Sequence, residues 1–97
     1  MIEVQLSKQN SQKPIVRFDA NVIEYFWAMP SSSSIMRMHV SHITSIEITI
    51  NKKEKYSLLI KYAHGAPLLN SEIDDQALDK VKELVAEVQR AMQSTAL

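Results

Sequence analysis

A mainly β fold closed by one carboxyl-terminal helix, α+β in class, is what this sequence predicts, on two observations. Apolar residues recur at every second position through the first two thirds of the chain and at helical spacing in the last third. Short polar or turn-forming breaks divide the alternating part into about seven segments. The single glycine among 97 residues excludes the glycine-rich phosphate-binding loops of dinucleotide and nucleoside-triphosphate sites.

The strands follow in order. Ile2, Val4 and Leu6 alternate with Glu3 and Gln5, and the polar run SKQNSQKP ends this first strand near Ser7. Val16 and Phe18 alternate with Ile15, Arg17 and Asp19 in a second strand, and Asp19-Ala20-Asn21 is a turn. The third strand runs from Val22 to Met29, and MPSSSS reads as a connecting loop. Met36, Met38 and Val40 alternate with Ile35, Arg37 and His39 in a fourth strand. After a break at Ser41-His42, Ile46, Ile48 and Ile50 alternate with Ser45, Glu47 and Thr49 in a fifth. NKKEK is a charged turn, Tyr56 to Ala63 a sixth strand ending at His64-Gly65, and Ala66 to Asn70 a short seventh.

From Ile73 the period changes. Ile73, Ala77, Leu78, Val81, Leu84, Val85, Val88 and Met92 fall on one face of a helix, with Asp79, Lys80, Glu83, Glu87 and Arg90 elsewhere. Asn70 or Ser71 suits the N-cap, Asp74 stands three residues after Ser71 as in a capping box, and Glu72, Asp74 and Asp75 put negative charge at the positive end of the helix dipole. The chain is therefore expected to be one domain over residues 1–97, with strands over about 2–70 and a helix over about 72–93 that frays through AMQSTAL.

Composition narrows the function. A chain this short holds one core, burying roughly 60 to 65% of its unfolded surface. Eleven basic and eleven acidic residues cancel, so net charge points to neither nucleic acid nor an anionic membrane. Residues 1–63 carry eight Lys or Arg against five Asp or Glu, a net of +3, and residues 64–97 carry three against six, a net of −3. The helix start accounts for that acidic third. There is no Cys, hence no disulfide framework or zinc thiolate site, and a cytoplasmic setting is expected from the lack of a signal-peptide pattern in MIEVQLSKQN.

Seven short strands followed by one amphipathic helix resemble the pleckstrin-homology superfold. The resemblance rests on VRFDANVIEYFWAM as the hairpin of strands two and three, on RMHVSHITSIEITI, and on KYAHGAPLLNSEIDDQALDKVKELV running from the last hairpin into the helix. It implies two near-orthogonal sheets in a partly open barrel with the helix plugging one end. Many eukaryotic members carry a Trp in that helix. Here the only Trp is Trp27 in strand three, which favours a bacterial-type member. Phosphoinositide-binding members place basic residues on the first hairpin. The resemblance thus singles out Lys8, Lys13 and Arg17 as lipid-headgroup candidates, but Ile15 occupies the middle basic position, where a charge-assisted bond to the headgroup would be lost.

Catalytic chemistry finds little support. His39, His42 and His64 have no spacing that makes them converge on a metal. The Ser31 to Ser34 run lies outside any tight glycine turn, and Asp74 and Asp75, adjacent on a helix, do not face each other. Lys52, Lys53 and Lys55 enclose Glu54 at a hairpin tip and read as a solvated turn rather than a nucleic-acid stripe. No cofactor, metal or catalytic residue is called for.

Strand three carries Val22, Glu24, Phe26 and Ala28 on one face and Ile23, Tyr25, Trp27 and Met29 on the other. Burying an unpaired carboxylate is costly, so Glu24 marks the outer face. Tyr25 and Trp27 are then expected to anchor the core, each able to bury roughly 150 to 250 Å². Phe26 is left outside, with Val22, Ile35 and Leu59 as candidate outer neighbours and Arg17, Arg37 and Lys61 as side chains able to lie over them. The expected function is a non-catalytic protein-interaction or scaffold module that self-associates or docks a partner through a sheet face. The alternative is weak anionic lipid-headgroup binding through the first hairpin, and a third reading is a carrier with an apolar barrel cavity.

Overall fold

The computed structural model describes residues 1–8, 11–29 and 32–95, the side chains of Met29, Ser32, Ser33, Ser34 and Thr95 lying outside that description. Among the described residues seven antiparallel strands form two sheets: β1 (Ile2–Gln5), β2 (Ile15–Asp19), β3 (Val22–Met29) and β4 (Ser32–His39) in sequence order, then β5 (Ile43–Ile50), β6 (Tyr56–Tyr62) and β7 (Ala66–Glu72), also in order. The helix α1 (Leu78–Thr95) follows. The expected mainly β, α+β class with one carboxyl-terminal helix is the observed one.

Each strand forms because its alternate residues have a face to bury. The first sheet turns Val4, Val16, Phe18 and Ile23 inward and the second Ile46, Leu58, Ile60 and Leu69, and these join Leu6, Val40, Ile43 and Ile73 in one core. Val81, Leu84 and Val88 recur at helical spacing, are fully buried, and bring α1 into the same core against β5, β1 and the 3₁₀ turn Val40–His42 that joins the sheets.

The turns follow from local chemistry. Ala20 and Asn21 both take positive φ, 51° and 65°, the twist that lets a two-residue loop join β2 to β3. At the β5–β6 tip the Asn51 carboxamide oxygen accepts from the Lys53 and Lys55 N–H groups at 2.9 and 3.1 Å, with Glu54 at φ 62°.

Three expectations change. The serine run was expected in a loop, but Ser32, Ser33 and Ser34 open β4 opposite Met29, Ala28 and Trp27; Pro30 and Ser31 lie outside the described residues. The pairing partner, not the weak strand preference of Ser, decides this. The helix, expected from about 72, begins at Leu78 after a 3₁₀ turn at Asp75–Ala77. The Ile73 N–H donates to the Tyr56 carbonyl at 2.9 Å and the Asp74 N–H to the Leu6 carbonyl at 2.8 Å, so this backbone belongs to the sheets until residue 74. Ser71 lies in β7 and does not cap the helix, and the Asp74 carboxylate accepts from the Lys8 N–H at 2.8 Å. Finally, Tyr25 and Trp27 face inward but do not anchor the core. The largest fully buried side chains include Leu6, Ile23, Leu58, Ile60 and Leu84, while both aromatic rings are partly exposed at its margin.

Candidate functional site

Register turns the outer face of the four-stranded sheet into rows that cross all four strands. Glu3 pairs with Arg17, Arg17 with Glu24, and Glu24 with Arg37. One step along the strands, Gln5 pairs with Ile15, Ile15 with Phe26, and Phe26 with Ile35. Directly paired residues sit about 4.5–5.5 Å apart at Cβ and interact. A charged row of alternating sign therefore lies against an apolar row.

The charged row is fully connected. Arg17 Nε donates to Glu3 Oε1 at 3.0 Å, and its Nη1 lies 3.6 Å from Glu24 Oε1. Arg37 donates from Nε and Nη2 to Glu24 Oε2 at 3.0 and 2.7 Å. Glu24 is the inner link, its side chain 12% exposed between two guanidinium groups of which Arg37 is 67% exposed. Such exposed pairs contribute little stability, about 0–1 kcal/mol each; what they supply is fixed geometry. The Arg17 guanidinium also stands 4.9 Å from the Phe26 ring centroid, tying the two rows together.

Among the interface candidates, Phe26 and Ile35 are cross-strand neighbours, and Ile35 is 52% exposed. Val22 shares their face but lies beyond the charged row, opposite Asp19 and His39. Leu59 faces outward from the other sheet, between Glu47 and Asn70, and is no part of this patch. Ile15 completes the apolar row. Its sequence signal was an apolar residue at the position where a headgroup site needs a base.

The lipid-headgroup candidates are not assembled into an anion site. Arg17 is engaged by two carboxylates. Lys13 is exposed, with φ 47°. Lys8 lines a cavity of about 480 Å³ together with Lys55, Glu72, Asp74 and Asp75, where carboxylates outnumber amines.

A second feature lies between the sheets. Tyr25, Trp27 and Met36 face Leu68, Leu69 and Asn70 across a cleft of about 260 Å³, with Gln12 at its side. Leu68 enters because a register shift between Ile60 and Lys61 leaves it without a direct partner on β6. Tyr25 and Trp27 meet edge to face at 4.9 Å. Burial pushes the Tyr25 phenol above its ordinary value of 10.0, an effect partly offset by a hydrogen bond with the Ser71 hydroxyl, which links the two sheets.

His39 Nδ1 accepts from the Ser41 N–H at 3.1 Å, His42 is exposed in the following 3₁₀ turn, and His64 stands at φ 63° in another. Among the described residues no three His, Cys, Asp or Glu side chains are grouped so as to hold a metal ion, and no helix is long and apolar enough to cross a membrane. Comparison of the chain with protein-family models, curated proteins and solved structures returns no match.

Proposed function

We propose that the protein is a non-catalytic interaction module of pleckstrin-homology type that docks protein on the outer face of its first sheet. The fold part of this reading is supported by the connectivity: four antiparallel strands in order, three more in order, then a helix packed into the shared core. The functional part is carried by one observation. Ile15, Phe26 and Ile35 form a continuous apolar row across β2, β3 and β4, with Ile35 more than half exposed beside a row whose charges are already paired.

An apolar row binds by losing water, and the rigid charges beside it select the partner and set its orientation. Headgroup binding is the weaker reading because the Arg17 guanidinium already has two carboxylate partners.

The test is a photo-crosslinking amino acid placed at Ile35 and, as a control, at Glu47 on the outer face of the second sheet, in cells that make the protein. Protein adducts identified by mass spectrometry at position 35 and not at 47 are expected. No adduct at 35, or the same adducts at both positions, would remove the docking face.

A further inference from the structure

The charged row reads Glu3, Arg17, Glu24, Arg37 across β1, β2, β3 and β4, that is minus, plus, minus, plus. Such a row has a property that most charge patterns lack: reversed end to end, it becomes its own complement. A two-fold axis lying in the plane of a face-to-face contact, and running along the strands between β2 and β3, performs that reversal. We propose that the occupant of this face is a second copy of the same chain, related by that axis. The proposal rests on the docking-face reading and names its partner.

In this arrangement Glu3 meets Arg37 of the second copy, and Arg17 meets Glu24 of the second copy. Each of these contacts occurs twice because the contact is isologous. No existing pair has to break, since every charge keeps its neighbour in the row and gains one of opposite sign across the interface. The adjacent row reverses in the same way: Ile15 covers Phe26 of the second copy, and Ile35, 52% exposed in the single chain, is covered by Gln5 at the rim. Stacking the copies in unreversed strand order would set Glu on Glu and Arg on Arg along the whole row. The pattern therefore selects one orientation by repulsion as well as by attraction.

The size of the face sets the strength. Four strands about 4.8 Å apart make it roughly 19 Å wide, and five residues at about 3.3 Å make it roughly 16 Å long. The pair then buries on the order of 600 Å², below the size of stable specific interfaces and in the range of weak, transient contacts, so the dimer dissociates at roughly 100 μM to 1 mM.

Charge exchange tests the axis. Glu3→Arg and Arg37→Glu alter side chains that are 47% and 67% exposed, so both variants are expected to keep the wild-type circular dichroism spectrum. Sedimentation over concentrations from about 10 μM to about 1 mM brackets the association range. The wild type is expected to self-associate over this range, and each variant alone to lose at least ~10-fold in affinity, because each puts like charges opposite one another twice. An equimolar mixture is expected to associate again, since the introduced arginine of one variant then faces the introduced glutamate of the other and every contact in the row is complementary.

A wild type that stays monomeric throughout, folded variants that associate as well as wild type, or a mixture that fails to restore association would each overturn the proposal. If the wild type is monomeric while crosslinks at Ile35 identify a different protein, the second copy is wrong and the docking face stands. If neither association nor crosslinks occur, both fall.

Discussion

Replacing Tyr25 with Phe removes one oxygen from the gap between the sheets and leaves the ring. The edge-to-face contact with Trp27 at 4.9 Å is retained, so what is lost is the hydrogen bond with Ser71. A net hydrogen bond contributes about 0.5–1.5 kcal/mol. Ser71 is only partly buried, which lets water replace part of the contact, so the lower half of that range, about 0.5–1 kcal/mol, is expected. For a domain of this size each kcal/mol shifts Tm by roughly 4–8 °C, giving a fall of about 2–8 °C at neutral pH. The substitution also changes the response to base. Burial holds the folded-state phenol above its ordinary value of 10.0. As pH rises past that value the unfolded chain releases the proton while the folded chain keeps it. The unfolded state then binds fewer protons and stability falls with pH until the folded-state phenol also ionises. This part of the loss is present in the wild type and absent in Tyr25→Phe. Thermal unfolding followed by circular dichroism from neutral to about pH 11 separates the two effects. Stability falling equally above pH 10 in wild type and variant would refute the argument that burial of this phenol is what titrates. A Tyr25→Phe, Ser71→Ala double variant that costs the full sum of the two singles would show that the two side chains are not coupled.

Other substitutions probe other links. Leu84→Ala removes a fully buried side chain where α1 meets both sheets and should cost about 2–5 kcal/mol in urea unfolding; a cost below ~1 kcal/mol would mean that the helix is not held by this core. Glu54 sits at φ 62° on the β5–β6 tip, so Glu54→Gly should stabilise by about 0.5–1 kcal/mol, and a lower denaturation midpoint would contradict the strain. Asn51→Ala at the same tip loses two bonds to backbone N–H groups and should cost about 1–2 kcal/mol, read as a lower Tm with unchanged far-ultraviolet circular dichroism. Lys13→Ala combined with Arg17→Ala should leave sedimentation with anionic vesicles unchanged; binding that disappears in the double variant would favour the headgroup reading.

What could be read along the chain was the face each residue takes within its own segment. Glu24 is outward, Tyr25 and Trp27 are inward and Phe26 is outward, and the alternation that says so is a local property of a strand, needing no partner. The same holds for the helix stripe of Val81, Leu84 and Val88, whose spacing depends only on 3.6 residues per turn. The helix start was misplaced because its cap residues were claimed from outside. Asp74 is taken by the Lys8 backbone, and the neighbouring N–H groups by β6 and by Leu6, competitors far away in sequence.

Register and sheet membership were decided only in three dimensions. Nothing in IVRFD or VIEYFWAM says which residue of one stands opposite which residue of the other, yet that pairing puts Ile15 beside Phe26, lines up Glu3, Arg17, Glu24 and Arg37, and assigns Leu59 to a different sheet. The depth of Trp27 was decided in the same way. Its direction is a matter of parity, whereas its position at the mouth of a cleft rather than within the core depends on where the second sheet ends. A period of two assigns a side chain to one of two faces; which residues become neighbours on that face is set by backbone hydrogen bonds between strands distant in sequence.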